Sequence, residues 1–309
     1  MHYDHLDISR WLARLAMVSM AVLVCACGAA RDQDDHSAMA GDGDGDEQGD
    51  EQGDEQGDDQ GDGDGDGDGD DTEPPNAARG TSAEALPFDR ERYVEDLTFV
   101  TGERSPGSGH WQEVQDLCAE RLDELDFDVE RVEFAAGVNV IGTMVGYDAP
   151  DEQVVVGAHY DHLEGCDGAD DNATGVAGAL ELARMLGDSS HARTLVIACW
   201  DQEELGLLGS MKHAAELAMT GSQVETAISL EMIGYASDQP DTQQIPPGFP
   251  QVFPDEVARV EGNDRRGDFI TLIGDTDSVG WMRDFATAAE GVDLPTVVLE
   301  ASVVLGPVI

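Results

Sequence analysis

The chain predicts an α/β fold, a three-layer sandwich around a mostly parallel, mixed central sheet. Three observations predict it. Two continuous apolar runs, Gln153-Val-Val-Val-Gly-Ala158 and Arg193-Thr-Leu-Val-Ile-Ala-Cys-Trp200, suit strands buried on both faces. Segments with helical apolar spacing separate the strand-like runs. Polar clusters stand where the runs end, and open α/β sheets collect functional groups at the carboxyl ends of their strands.

Taken in order, the spacing predicts helices over 88–100 and 111–125. The second of these carries Trp111, Val114, Leu117, Cys118, Leu122 and Leu125 on one face. Strands are predicted at 129–134 and 138–145, followed by a buried central strand at 153–158. A Gly-rich acidic loop leads into a helix over 175–186. The strand at 193–200 precedes a helix near 210–219. Further strands fall at 226–230, 269–273 and 296–299, with a helix over 278–290 before the last. This alternation is the pattern of a largely parallel sheet covered by helices.

Charge limits the partners. Lys and Arg number 16 against 66 Asp and Glu, a formal net charge of −50. A nucleic-acid partner is excluded, because phosphate neutralisation needs clustered cations. Residues 31–80 hold 20 acids and two arginines with almost no apolar side chains. Such a stretch cannot bury enough surface to offset its chain entropy. Its Gly-Asp run also meets the spacing of a calcium loop, from Asp62 to Glu73. Gly69 stands where that loop wants an apolar residue, so the segment reads as an extended tether.

The first residues read as an export address. Arg10 and Arg14 precede an apolar run from Leu15 to Ala26. Twelve residues reach roughly 18 Å as a helix, short of a membrane core of about 30 Å. The run ends Val24-Cys-Ala-Cys27-Gly28, which resembles the bacterial lipoprotein cleavage box. The resemblance implies cleavage before Cys27 and lipidation of its thiol. The expected plan is a signal peptide at 1–26, an acidic linker at 27–85 and a globular domain at 86–309. The protein would be exported and held at the bacterial cell envelope by a lipid anchor, or secreted. Cys118, Cys166 and Cys199 form an odd set, so at most one disulfide can form among them. The acids beside Cys166 oppose thiolate chemistry.

The chemistry is expected at three strand ends. These are His159-Tyr-Asp-His162, Asp201-Gln-Glu-Glu204 and Glu231-Met-Ile-Gly234, with Gly168-Ala-Asp-Asp-Asn172 between the first two. Several carboxylates and a His converging at one sheet edge would be costly without a cation. Histidine and carboxylate ligands suit Zn²⁺.

Gly157-Ala-His-Tyr-Asp-His162, Gly168-Ala-Asp-Asp-Asn-Ala-Thr-Gly-Val176, Glu203-Glu-Leu-Gly-Leu-Leu-Gly-Ser210 and Leu230-Glu-Met-Ile-Gly-Tyr235 resemble the two-zinc exopeptidase family of bacterial leucyl aminopeptidases and glutamate carboxypeptidases. The resemblance runs from about Phe88 to the last residue and implies a phosphorylase/hydrolase-like sandwich. It implies that His159 and Glu231 hold one zinc, with Asp171 bridging to a second ion that Glu204 also binds. Asp161 would orient His159 through the other ring nitrogen. Glu203 would be the general base, and the Asp171–Asn172 peptide would be cis. His162 is expected to be a loop residue or one that supports a ligand from behind, and not itself a ligand, because His159 already takes the ligand position.

The family also has a later Ser-Asp-His segment and a final metal-binding His. No His follows His213 here, so the expectation is a missing C-terminal edge, one well-formed zinc site and a weak second one. The expected function is hydrolysis of a peptide substrate at a terminus, with an aminopeptidase favoured and activity low or absent. An acidic surface attracts the substrate's ammonium group. Two alternatives are a single-zinc enzyme like the glutaminyl cyclases and a non-catalytic surface lipoprotein. Side-chain preference and oligomeric state are not readable from the residues.

Overall fold

A computed structural model of the chain describes residues 85–135, 137–187 and 191–301. The signal segment, Cys27 and the Gly-Asp tether lie outside the described residues. Within them, two helices come first, α1 (Arg90–Val100) and α2 (Gly109–Asp123). Each has a side-chain cap for its free N–H groups. Asp89 accepts from the backbone of Glu91 and Arg92, and Ser108 accepts from Trp111.

Strands β1 (Asp128–Phe134), β2 (Gly137–Met144) and β3 (Ala149–His159) follow, then a kinked segment, Ala169–Thr174, whose Asp171 and Asn172 leave helical backbone angles before α3 (Gly175–Gly187). Next come β4 (Arg193–Trp200), α4 (Leu208–Thr220) and β5 (Gln223–Ser229). Helices α5 (Phe249–Val252) and α6 (Pro254–Gly262), strand β6 (Ile270–Gly274), helix α7 (Val279–Glu290) and strand β7 (Thr296–Glu300) complete the described chain.

The main sheet has the order β1-β2-β4-β3-β5. β1 and β4 are both antiparallel to β2, whereas β4, β3 and β5 are parallel neighbours. One strand of the five thus opposes the rest, and the sheet is mixed but mostly parallel, as the alternation predicts. β6 and β7 pair in parallel as a separate two-stranded sheet.

The two-residue period of the strands divides the core into two layers. Val140, Val156, Ala158, Leu195, Ile197 and Cys199 pack with α1, α2 and α3 on one face. Val155, Val196, Ala198 and Trp200 point the other way, towards Leu217 of α4. Full burial of a Val, Leu or Ile stabilises by about 1.5–3 kcal/mol each, which makes these central strands the firmest part of the domain. Cys118 and Cys199 are free thiols inside it.

β3, α5 and α6 depart from the sequence expectation. β3 begins at Ala149 and not at 153, because a bulge lets Ala149 pair with Arg193 across the acidic Asp151-Glu152 pair. α5 and α6 were not expected: α5 is only four residues long, and Pro250 and Pro254 at the helix starts read as chain breakers. Tertiary contact supplies the stability of α6: Phe253 and Val260 pack on Val297 and Leu299 of β7.

Candidate metal centre

Because β3 lies between β4 and β5 and runs parallel to both, all three strands end at the same edge. β3 ends in His159, β4 leads into the segment with Glu203 and Glu204, and β5 leads into Glu231. The kinked segment Ala169–Thr174 carries Asp171 to the same place, and the Asp171–Asn172 peptide is cis.

His159 is buried at the centre. Its Nε2 lies 3.2 Å from Asp171 Oδ1, 3.4 Å from Glu231 Oε2 and 4.0 Å from Glu203 Oε2. The nitrogen nevertheless has no hydrogen-bond partner by geometry. A buried ring nitrogen surrounded by carboxylate oxygens but aligned with none is what ligands directed at a common ion present. Burial pulls the His159 pKa down, yet the carboxylates of Asp161, Asp171 and Glu231 outweigh burial and hold it well above the ordinary value.

A second group shares Asp171. Ligand atoms of His162, Asp171 and Glu204 lie within 4.8 Å of one another, as do those of His159, Asp171 and Glu231. His162 Nδ1 stands 2.5 Å from Glu204 Oε1, and both side chains are buried. For Asp171, burial works to raise the pKa, but His159, His162 and Arg104 together bring it below the usual carboxylate value. The nitrogen and carboxylate donors of both groups suit zinc, and the two orphaned ring nitrogens, His159 Nε2 and His162 Nε2, fit that use.

Asp161 has a wider task than expected. His159 Nδ1 meets its backbone carbonyl at 3.2 Å and its carboxylate at 3.5 Å. The carboxylate oxygens also accept from the backbone N–H groups of Glu203 at 2.9 Å and Glu204 at 3.3 Å. One side chain therefore supports His159 and fixes the segment that carries Glu203 and Glu204. Burial pushes the Glu203 carboxyl up to about 7, with His159 acting against it and Glu231 and Glu204 adding to it. Asp201, from the same cluster, serves the fold instead. It accepts from Trp111 Nε1 at 3.0 Å and from the Val138 N–H at 2.8 Å.

Sequence reasoning missed three participants. It placed His162 in the loop or behind the ligands, whereas the ring reaches Glu204 and Asp171 directly; two imidazoles at one strand end were the available signal. It read Asn172 only as part of a motif. Asn172 Nδ2 donates to Leu230 O at 2.8 Å and to Glu231 Oε2 at 3.1 Å, tying the Asp171 turn to the Glu231 segment. Arg104 carried no signal at all. It is fully buried and donates to the carbonyls of Val100, Gly102, Tyr160, Asp167 and Gly168 at 2.7–2.9 Å. Desolvation lowers its pKa to about 10, with the charges of Asp161, Asp171 and Glu204 opposing that.

Residues 139–268 match the profile of Peptidase family M28. The chain is 29% identical over 235 residues to the uncharacterized protein YfbL of Escherichia coli K12, covering 69% of this chain and 67% of that protein. It is 29% identical over 160 residues to a probable zinc metalloprotease of Pyrenophora teres f. teres, covering 49% of this chain and 34% of the relative. Among solved structures, LapB from Legionella pneumophila superposes with a TM-score of 0.52 at 22% identity, covering 69% of this chain and 56% of that one. The LapA aminopeptidase of the same organism superposes at 0.50 with 16% identity, over 69% of this chain and 55% of that one. At these identities the two structures bear on the fold. The chain spans little more than half of each of them and about a third of the fungal relative.

Proposed function

We propose, on the premise that the chain belongs to the zinc-dependent peptidase family M28, that it hydrolyses peptides from a terminus, with the amino terminus favoured. The observation that carries this reading is Glu203. Its half-buried carboxylate stands 4.0 Å from the nitrogen that shares a donor group with Asp171 and Glu231. A general base must lie within hydrogen-bond reach of the proton it takes, directly or through one water.

His159, Asp171 and Glu231 would hold zinc, with Asp171 and Glu204 facing a second ion. Zinc bound there would supply a polarised carbonyl and a water of lowered pKa. Glu203 takes the proton of the attacking water and delivers it to the leaving amine, so the base in one half of the reaction is the acid in the other. Asp161 keeps Glu203 in place through the backbone N–H of that residue, so the base does not wander. A formal charge of −50 favours substrates that present an ammonium group at the scissile end. The same proposal extends to residues 1–85, read as a signal peptide, a lipid-modified Cys27 and an acidic tether that hold the domain at the bacterial envelope.

The test uses the zinc-loaded full chain and an unblocked peptide with N-terminal glutamine, beside its N-acetylated form. Release of free glutamine from the unblocked peptide alone is expected. Pyroglutamate formation would point to cyclisation instead. Glu203→Ala is expected to lower kcat by roughly 10²–10⁴-fold with metal content unchanged. Equal turnover by wild type and variant would falsify the assignment.

A further inference from the structure

The donor geometry shows more than one complete half of the centre. We infer that His162 is the nitrogen ligand of the second ion, so that residues 159–231 alone supply three donors to each of two ions. Each set then has the same make-up: one imidazole, one private glutamate and the shared Asp171. The inference rests on the reading of this centre as a zinc site.

Three observations carry it. First, His162 is placed as a ligand would be. Its ligand atom falls within 4.8 Å of those of Asp171 and Glu204, and the 2.5 Å hydrogen bond between Nδ1 and Glu204 Oε1 leaves Nε2 as the nitrogen for an ion. Second, the ring has a buried nitrogen with nothing to bind. Nε2 lacks any hydrogen-bond partner in a side chain that is 2% exposed. A neutral imidazole that uses one nitrogen leaves the other to be satisfied, and burial makes that need costly. Third, the charges do not balance without cations. Asp161, Asp171, Glu203, Glu204 and Glu231 crowd one strand edge. Among the described residues there, the permanent cation is Arg104, and its N–H groups are spent on backbone carbonyls. Even with both imidazoles protonated, five negative charges would face three positive ones.

The ring is also held in place. Gly168 adopts φ +54, and a Cβ there would lie 2.6 Å from His162 Cδ2 and 2.5 Å from Arg104 Nη2. Only a glycine lets the loop that carries Asp171 press this closely on both side chains. The His162 backbone N–H donates to Arg104 O at 3.2 Å, fixing the other end. A ligand locked on two sides before the ion arrives is preorganised.

The experiment is a zinc titration of the chelator-stripped full chain by calorimetry, with bound metal counted by elemental analysis. Wild type is expected to take up two equivalents. His162→Ala is expected to keep one tight equivalent and weaken the other by more than the roughly 10–100-fold that loss of an outer-shell partner costs. A single equivalent in wild type, or an unchanged second equivalent in His162→Ala, overturns the inference. Should the variant not fold, zinc X-ray absorption on the wild type decides. One imidazole per zinc on average supports the assignment, and one per two zincs overturns it. Peptide turnover is scored separately. A His162-dependent second ion without turnover sinks the peptidase reading and keeps this one, and turnover with a His162-independent second ion does the reverse.

Discussion

His213 should make the domain lose stability on mild acidification, by an amount the structure sets. The side chain sits on α4 with 6% of its surface exposed. Trp200 Nε1 donates to its Nδ1 at 3.1 Å, so the folded protein needs that nitrogen as an acceptor. Desolvation lowers its pKa from 6.5 to about 4, with Glu216 opposing weakly. Above pH 6.5 the ring is neutral in both folded and unfolded chains, and its contribution is fully present. Below 6.5 the unfolded chain binds a proton that the folded one refuses, so stability falls as pH drops towards 4. At about 1.4 kcal/mol per pH unit, the loss is roughly 2 kcal/mol by pH 5 and about 3 by pH 4. Urea unfolding followed by tryptophan fluorescence, with chelator present so that metal release does not contribute, would compare pH 7.5 with pH 5. His213→Gln keeps an acceptor for Trp200 and cannot titrate. Its stability should fall by about 2 kcal/mol less than wild type between the two pH values. Identical losses in the two proteins would refute the reasoning.

Three further outcomes follow from the same contacts. Arg104→Met leaves several buried carbonyls without donors and should cost about 3–5 kcal/mol, read as a lowered urea midpoint. Asn172→Ala severs the link between the Asp171 turn and Glu231, and should weaken the tighter zinc equivalent about 10–100-fold in a calorimetric titration while the apo fold persists. Chelation of the zinc-loaded chain should lower Tm, and re-addition at about 1,000 times Kd should restore roughly 4 kcal/mol; a Tm indifferent to zinc would mean the carboxylate cluster binds none.

Much of the site was legible because local pattern sets element type and a parallel sheet does the rest. Apolar runs at 153–158 and 193–200 identify central strands, and parallel neighbours must end at the same edge. His159, Glu203, Glu204 and Glu231 could therefore be placed together before any coordinates, and Asp171 followed from the motif that joins them. What escaped has a common cause. Arg104 binds only main-chain carbonyls, and carbonyls have no residue-type signature. The role of Asp161 as acceptor for the Glu203 and Glu204 N–H groups depends on backbone placed 42 residues away. α6 is held against β7 through Phe253 and Val260, contacts that no local pattern announces.

The sequence by itself determined the kinds of donor available, the strands that carry them and the negative charge that demands a cation. Those properties follow from residue type and short-range spacing. Only the tertiary structure decided which donors come within reach of a common ion. His162 reads as one more loop residue until the Gly168 turn and the Glu204 segment close on its ring from opposite sides. Which lone pairs converge depends on distances of a few ångströms between residues dozens of positions apart, and close packing of the folded chain sets those distances.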